Sequence, residues 1–548
     1  MRDLWYKDAV IYCLDVETYQ DDNADGIGDF PGLTDRLDHI AGLGATCIWT
    51  EFVRQARERG LRVIADLVVN HTSDQHPWFQ AARSDPDSPY RDYYVWADDP
   101  PEDAPEPLIY DEDEGSGSVW EYDERADAYY FHRFFKHQPD LNIANPLVRE
   151  EIMRIMGFWL ELGVSGFRLD AAPYLIELRG IEDEAEVSTP YEYLREFREF
   201  LSWRKGDAIL LAEANVEPEQ VEDYVGDGRR MHMLFNFVAN QKLFLALAQE
   251  STEPLEEGLH DPPELPSTGQ WAHFLRNHDE LTLDKLTDSE REDVFDAFAP
   301  TEEEQIFGRG IRRRLPPMLS GGGRQTRMAY SLMLSLPGTP VLRYGQEIGM
   351  GDDLSLEGRH SVRTAMQWSD EKNGGFTKAE EGELARPVIR EGEYGFHHLN
   401  VERQRNENDS LLNWMVRMIR LRKECGEIGW GDWSVIETGE ESVFAHVCRH
   451  QDRAIVAVHN LSGEERTVEL GLSDLPDGHL NDLMTDTQYE PITEDEHRLR
   501  LDGYGYRWLR FHAPGPKGAP RTHRFLGRPS LFCIIGRLAM DRRPKTRP

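Results

Sequence analysis

Cysteine is scarce in this chain: five in 548 residues (Cys13, Cys47, Cys425, Cys448, Cys533), scattered and without a CxxC pair. That pattern excludes a disulfide framework and a thiolate zinc centre. Long apolar runs are also missing. No stretch approaches the roughly 20 residues that cross a bilayer, and the opening MRDLWYKDAV has no apolar signal-peptide core. A cytoplasmic protein without membrane contact is expected. Positive charge is short as well, with 61 Lys+Arg against 101 Asp+Glu and a net charge of −40. Nucleic acid and anionic lipid are thereby disfavoured as partners, which leaves a small molecule; oligomeric state is not legible. The basic side chains are mostly arginine. An acid-rich, lysine-poor surface suits a high-salt cytoplasm and serves equally as a solubility device.

What is present is a rhythm. Short apolar runs alternate with amphipathic helical patterns over most of the first 425 residues, the signature of a parallel β/α architecture. AVIYCLDV (9–16) reads as the first strand, ATCIW (45–49) as the second and LRVIADLVVNH (61–71) as the third. The rhythm breaks over an acidic, aromatic, Pro-rich stretch and then resumes through VSGFRLDAA, AILLAEA, MHMLFNF, WAHFLRNHD and TPVLRYGQEIG. Eight strand candidates in order predict an α/β fold, a (β/α)8 TIM barrel with an inserted subdomain after strand three and a C-terminal antiparallel β domain. No GxGxxG follows the first strand, which argues against an open nucleotide-binding sheet. The expected divisions are 1–71 and 141–425 for the barrel, 72–140 for the insert and 426–511 for a β-sandwich. Residues 512–548 form a basic tail, read as a poorly ordered extension whose apolar part is too short to span a bilayer.

Polar residues gather where barrel strands should finish: Asn70 and His71, Arg168 and Asp170, Glu213, His278 and Asp279. Carboxylates at the ends of apolar runs have no packing reason to be there. Three of them, with two histidines and an arginine, mark the catalytic mouth of a barrel. Arg168 shares a strand face with Asp170 two residues on and can keep it ionised. Asp66, mid-strand, is expected to hold Arg168. Another constellation, DDNADGIGD, sets Asp21, Asn23, Asp25, the carbonyl of Ile27, and Asp29 at the alternating spacing of an EF-hand loop, with Gly26 at its turn. Gly32 stands where that loop needs its bidentate Glu, so this is not an EF-hand, but hard oxygen donors at this spacing suit a structural Ca²⁺. No organic cofactor is expected.

DLVVNH, GFRLDAA, LLAEAN and FLRNHD, in that order, resemble the four short motifs of the α-amylase family of retaining glycoside hydrolases and transglycosylases. The resemblance implies that Asp170 is the nucleophile, Glu213 the general acid/base and Asp279 a carboxylate that stabilises the transition state. His71, Arg168 and His278 would contact the sugar. The acidic loop is similar to a calcium loop of oligo-glucosidase-like members, and a second cation site is implied at Asn70, Asp140, Glu177 and the carbonyls of Tyr174 and Leu175. Such enzymes need two carboxyls roughly 5–5.5 Å apart, one ionised and one protonated.

Longer stretches, among them GIRRRLPPML, GQEIGMGDDLSLEGRHSVRTAMQW and YGFHHLNVERQR, most resemble the branch that isomerises maltose to trehalose through a covalent glucosyl-enzyme. Arg363 would then close over the substrate. One departure stands out. The family carries several dozen residues between its second strand and second helix, including a sugar-binding Asp and Tyr; here Trp49 runs directly into TEFVRQARERG. The expected activity is therefore impaired isomerisation. A hydrolytic α-glucosidase or α-amylase-type enzyme is the near alternative, and a sugar-binding remnant without catalysis is the distant one.

Overall fold

The computed structural model describes residues 4–43, 50–101, 104–105, 118–177, 189–472, 475–476, 478–485, 488–492, 497–512 and 532–536. Seven parallel strands build most of a barrel: β1 (Ile11–Leu14), β2 (Leu61–Leu67), β3 (Gly166–Leu169), β4 (Ile209–Ala212), β5 (Met233–Phe235), β6 (Gln270–Phe274) and β7 (Thr339–Arg343). They run side by side in chain order from β2 to β7, and β7 pairs with β1. Each strand alternates its side chains. Ile11, Ile64, Ile209, Leu211, Met233, Phe274 and Val341 fill the interior. Val63, Leu67, Phe167, Leu169, Leu210 and Leu234 face outward into the core beneath the helices.

The intervening helices follow their sequence signals. Pro146–Leu162 starts at Asn145, whose side chain accepts from the Leu147 amide, and stops at Gly163 in the left-handed region, φ 114°. Its buried stripe is Val148, Ile152, Met156 and Leu160, one face of a 3.6-residue period. The insert after β2 carries a helix, Pro77–Ser84, and a small sheet of Trp96–Ala97, Ala128–Phe131 and Trp120–Asp123. After the helix Leu411–Glu424, six antiparallel strands form one sheet in the order Asp432–Val435, Val443–His450, Arg453–Asn460, Tyr506–His512, Gly478–Asp482, Gln488–Ile492. It packs on the barrel helix Gly322–Ser335: Trp508 Nε1 and His459 Nε2 both lie 3.0 Å from Ser331 Oγ.

Beyond His512 the basic tail, expected to be a poorly ordered extension, is described only over Phe532–Gly536, and that stretch is a strand. Phe532–Gly536, here β8, is the eighth barrel strand. It lies parallel between β1 and β2, with Ile11 opposite Cys533 on one side and Leu61 opposite Phe532 on the other. The run FCIIG is too short for a membrane yet long enough for a barrel strand, and it closes a cylinder whose β1 and β2 edges otherwise expose unpaired amides and carbonyls. The expected second strand, 45–49, lies outside the described residues. The helix after it, Thr50–Glu58, is formed.

Candidate active site

The alternation that fills the barrel also makes its mouth polar. Continuing each inward row toward the C-terminal end brings Ile64 to Asp66, Gly166 to Arg168 and Asp170, Leu211 to Glu213, and Val341 to Arg343. Ala171, the residue after Asp170, is left-handed at φ 51° and ψ 41°. For a residue with a Cβ that conformation costs about 1–2 kcal/mol, strain of the kind kept at functional turns.

Arg168, 1% exposed, is the hub of the cluster. Its Nη1 lies 2.9 Å from Asp66 Oδ1 and 3.1 Å from Asp170 Oδ1, while Nη2 donates to Glu213 Oε2. Asp66 thus holds Arg168, as expected, and one guanidinium spans the two carboxyls whose closeness matters most. Surrounded by Asp66, Glu213 and Asp170, Arg168 is raised well above its ordinary pKa despite its burial. Burial pushes the Glu213 carboxyl up to about 8; Arg168 opposes this, and Asp170, Asp279 and Asp66 reinforce it. An acid of this kind keeps its proton at neutral pH. Ligand atoms of Glu213, His278 and Asp279 all lie within 4.8 Å of one another. His278 Nε2 is 3.2 Å from Asp279 Oδ2. Arg363 pairs with Asp279 Oδ1 and donates through Nε to the His278 carbonyl at 2.7 Å. A narrow cavity lined by Arg168, Glu213, His278, Phe235 and Phe274 leads inward from this cluster.

The family model for the α-amylase catalytic domain matches residues 50–297 and 318–431, and that of a sucrose hydrolase-like C-terminal domain matches 453–510. The chain belongs to the α-amylase family. It is 39% identical to the trehalose synthase/amylase TreS of Mycolicibacterium smegmatis, over 94% of this chain and 93% of that one. It is 38% identical to the trehalose synthase of Pimelobacter sp., over 94% and 97%. The solved trehalulose synthase MutB of Pseudomonas mesoacidophila MX-45 superposes with a TM-score of 0.70 at 24% identity, over 93% of this chain and 99% of that one. The chain is thus an enzyme of that family.

His71 sits at the same end but faces the insert, with its ring edge-on to Phe134 at 5.5 Å. In the acidic loop the donors are oxygens, the right chemistry for a hard cation. Their carboxylates are not drawn together, however. Asp21 accepts from the amides of Ala24 (2.8 Å) and Gly26 (2.9 Å) and from Thr377 Oγ1, Asp25 from the Ile27 amide, and Asn23 from the Asp25 amide. Asp29 caps the helix Phe30–Asp35. Around the second implied site, Asn70 Nδ2 donates to Asp140 Oδ2 at 3.1 Å and the Arg133 amide to Oδ1 at 3.1 Å. Arg133 Nε lies 3.5 Å from Glu177 Oε2, and its guanidinium covers the Tyr174 ring at 5.0 Å. Leu175 is buried in the short helix Ala172–Leu175. The Arg133 guanidinium thus lies between Glu177 and Tyr174. Burial raises Asp140 to about 8, opposed by the Arg133 amide and the Asn70 side chain that donate to it.

Sequence reasoning missed two groups at the mouth, Glu280 and Arg359. Arg359 Nη1 lies 3.4 Å from Asp279 Oδ1, and its Nε lies 2.6 Å from Glu280 Oε2. The repeat of arginine in GRHSVR, four residues before Arg363, was the available signal.

Proposed function

We propose that this enzyme isomerises maltose to trehalose by a retaining, intramolecular glucosyl transfer. The observation that carries the reading is Glu213 bridged to Asp170 through a single guanidinium, in a setting whose burial raises Glu213 to about 8. Trehalose synthases at 38–39% identity over nearly the whole chain support the substrate. Asp170, with Arg168 beside it, attacks the anomeric carbon of the non-reducing glucose. The bond from that carbon to the glycosidic oxygen breaks as Glu213 gives its proton to that oxygen. Glucose is released into the pocket, and Asp170 carries the glucosyl group. The anomeric hydroxyl of the released glucose then attacks the same carbon, returns its proton to Glu213 and frees Asp170. Asp279, with His278 and Arg363, binds ring hydroxyls whose hydrogen bonds strengthen as the oxocarbenium character develops.

The direct run from Trp49 into the helix removes one wall of the glucose pocket. Lost hydroxyl contacts raise KM and lower kcat, and freer entry of water diverts the glucosyl-enzyme to hydrolysis. The relative named trehalose synthase/amylase makes hydrolysis a natural second activity. Incubating the full chain with maltose and resolving the products is the deciding experiment. Trehalose supports the isomerase, glucose alone reassigns the enzyme as a hydrolase, and unchanged maltose removes catalysis. The Asp21–Asp29 loop is proposed to take a structural Ca²⁺, with no part in the chemistry.

A further inference from the structure

Arg359 stands four residues before Arg363, on the short 3-10 segment Gly358–Val362. This segment is tied to the loop beneath it by Ser361 Oγ, which donates to the Arg312 carbonyl at 2.7 Å. The guanidinium meets Glu280 with two of its nitrogens: Nη2 donates to Oε1 at 3.1 Å, and Nε lies 2.6 Å from Oε2. Its third nitrogen, Nη1, reaches Asp279 Oδ1 at 3.4 Å. The outer side of the group is packed over the Phe307 ring at 5.5 Å. Phe307 is itself in the left-handed region, φ 56°, in the turn before Gly310–Ile311. Glu280 is 9% exposed and the Arg359 side chain 31%, so the pair, joined by the Nη2–Oε1 hydrogen bond and the close Nε contact, sits at the rim of a buried wall.

We infer that Arg359 is a positioning residue: anchored by Glu280, it fixes the carboxylate of the preceding Asp279 from the side opposite His278. The inference rests on the proposed glucosyl transfer, in which Asp279 acts only if it faces the ring hydroxyls in the transition state. Arg363 and His278 each hold one carboxylate oxygen; Arg359, tied to the next residue in the chain, adds a second cation on Oδ1 and narrows the rotation about the Cα–Cβ bond. A plain ion pair between Arg359 and Glu280 would stabilise the loop without touching turnover. The surrounding carboxylates of Asp279, Glu280 and Glu213 keep Arg359 charged throughout the working range.

The test uses the full chain with Arg359→Gln, Arg359→Lys and Glu280→Gln, assayed on maltose and on α-glucosyl fluoride, whose leaving group needs no proton from Glu213. For Arg359→Gln, kcat should fall about 10- to 100-fold on both substrates, the worth of a charge-assisted hydrogen bond, with KM within about threefold. Glu280→Gln should follow in the same direction, and Arg359→Lys should recover little, since an ammonium cannot hold the fork. If Arg359→Gln does not fold, Glu280→Gln carries the same expectation. A kcat within threefold of the unaltered chain, a loss confined to KM, or a loss on maltose that vanishes with the fluoride would each overturn the role. An unaltered chain inert toward both substrates would instead overturn the glucosyl transfer, and this role with it.

Discussion

Two arcs of the same barrel are built on opposite terms. The arc from β3 to β6 is contiguous in the chain, its strands paired in sequence order, and it carries Arg168, Asp170 and Glu213, with Asp279 in the loop beyond β6. The seam between β1 and β2 is closed by Phe532–Gly536, from the far end of the molecule. The first arc owes its geometry to neighbours and the second to a distant segment, and Asp66 on β2 is the point where the two meet.

The largest effect that separates them is on the catalytic arc. Asp170→Asn should lower turnover of maltose at least about a thousandfold while leaving the melting temperature nearly unchanged. A variant as fast as the unaltered chain would remove the nucleophile from this strand. On the seam the signature is reversed. A chain ending at His512 lacks β8 and should melt at least about 10 °C lower, or aggregate, because two edges are left open. Should it melt like the full chain, the tail strand is dispensable and another segment closes the barrel.

A subtler probe is the acid itself. Glu213 is an ordinary carboxyl in the unfolded chain and is raised to about 8 when folded. The native state therefore holds the extra proton, and stability falls as pH rises between about 5 and 8, by at most roughly 1.4 kcal/mol per pH unit. Glu213→Gln should be neutral for stability near pH 4 and progressively stabilising toward pH 8, read by melting at each pH; a gain that does not grow with pH would place the proton elsewhere. In the active enzyme the same titration gives kcat/KM a falling alkaline limb near 8. Smallest of all is the ion: millimolar Ca²⁺ should raise the melting temperature by about 1–3 °C, and Asp25→Asn should abolish the increment. No shift, or one that survives the substitution, would leave the loop held by its own amides.

Legibility in the sequence tracks how local each feature is. Asp170, Glu213 and Asp279 stand out because a carboxylate ending an apolar strand has no packing role, and the two-residue step from Arg168 to Asp170 already places both on one face. Asp66 was readable as the partner of Arg168 because an acid in the middle of a buried strand requires one. Glu280 and Arg359 were not, since only folding brings residue 359 to residue 280. The tail strand was hidden for the same reason: five residues of modest apolar character gain meaning only from the slot that receives them. The acidic loop is the opposite case: its spacing of oxygens is legible in the sequence, while the amides they accept from, those of Ala24, Gly26 and Ile27, are set by the folded loop.

The position of β8 has a consequence for synthesis. The strand that completes the cylinder follows the rest of the barrel, the insert and the antiparallel sheet in the chain, so β1 must wait with an unmatched edge while all of these are made. Closure then joins strands far apart in the sequence, and is slow by its topology and exposed to capture by other chains until it happens.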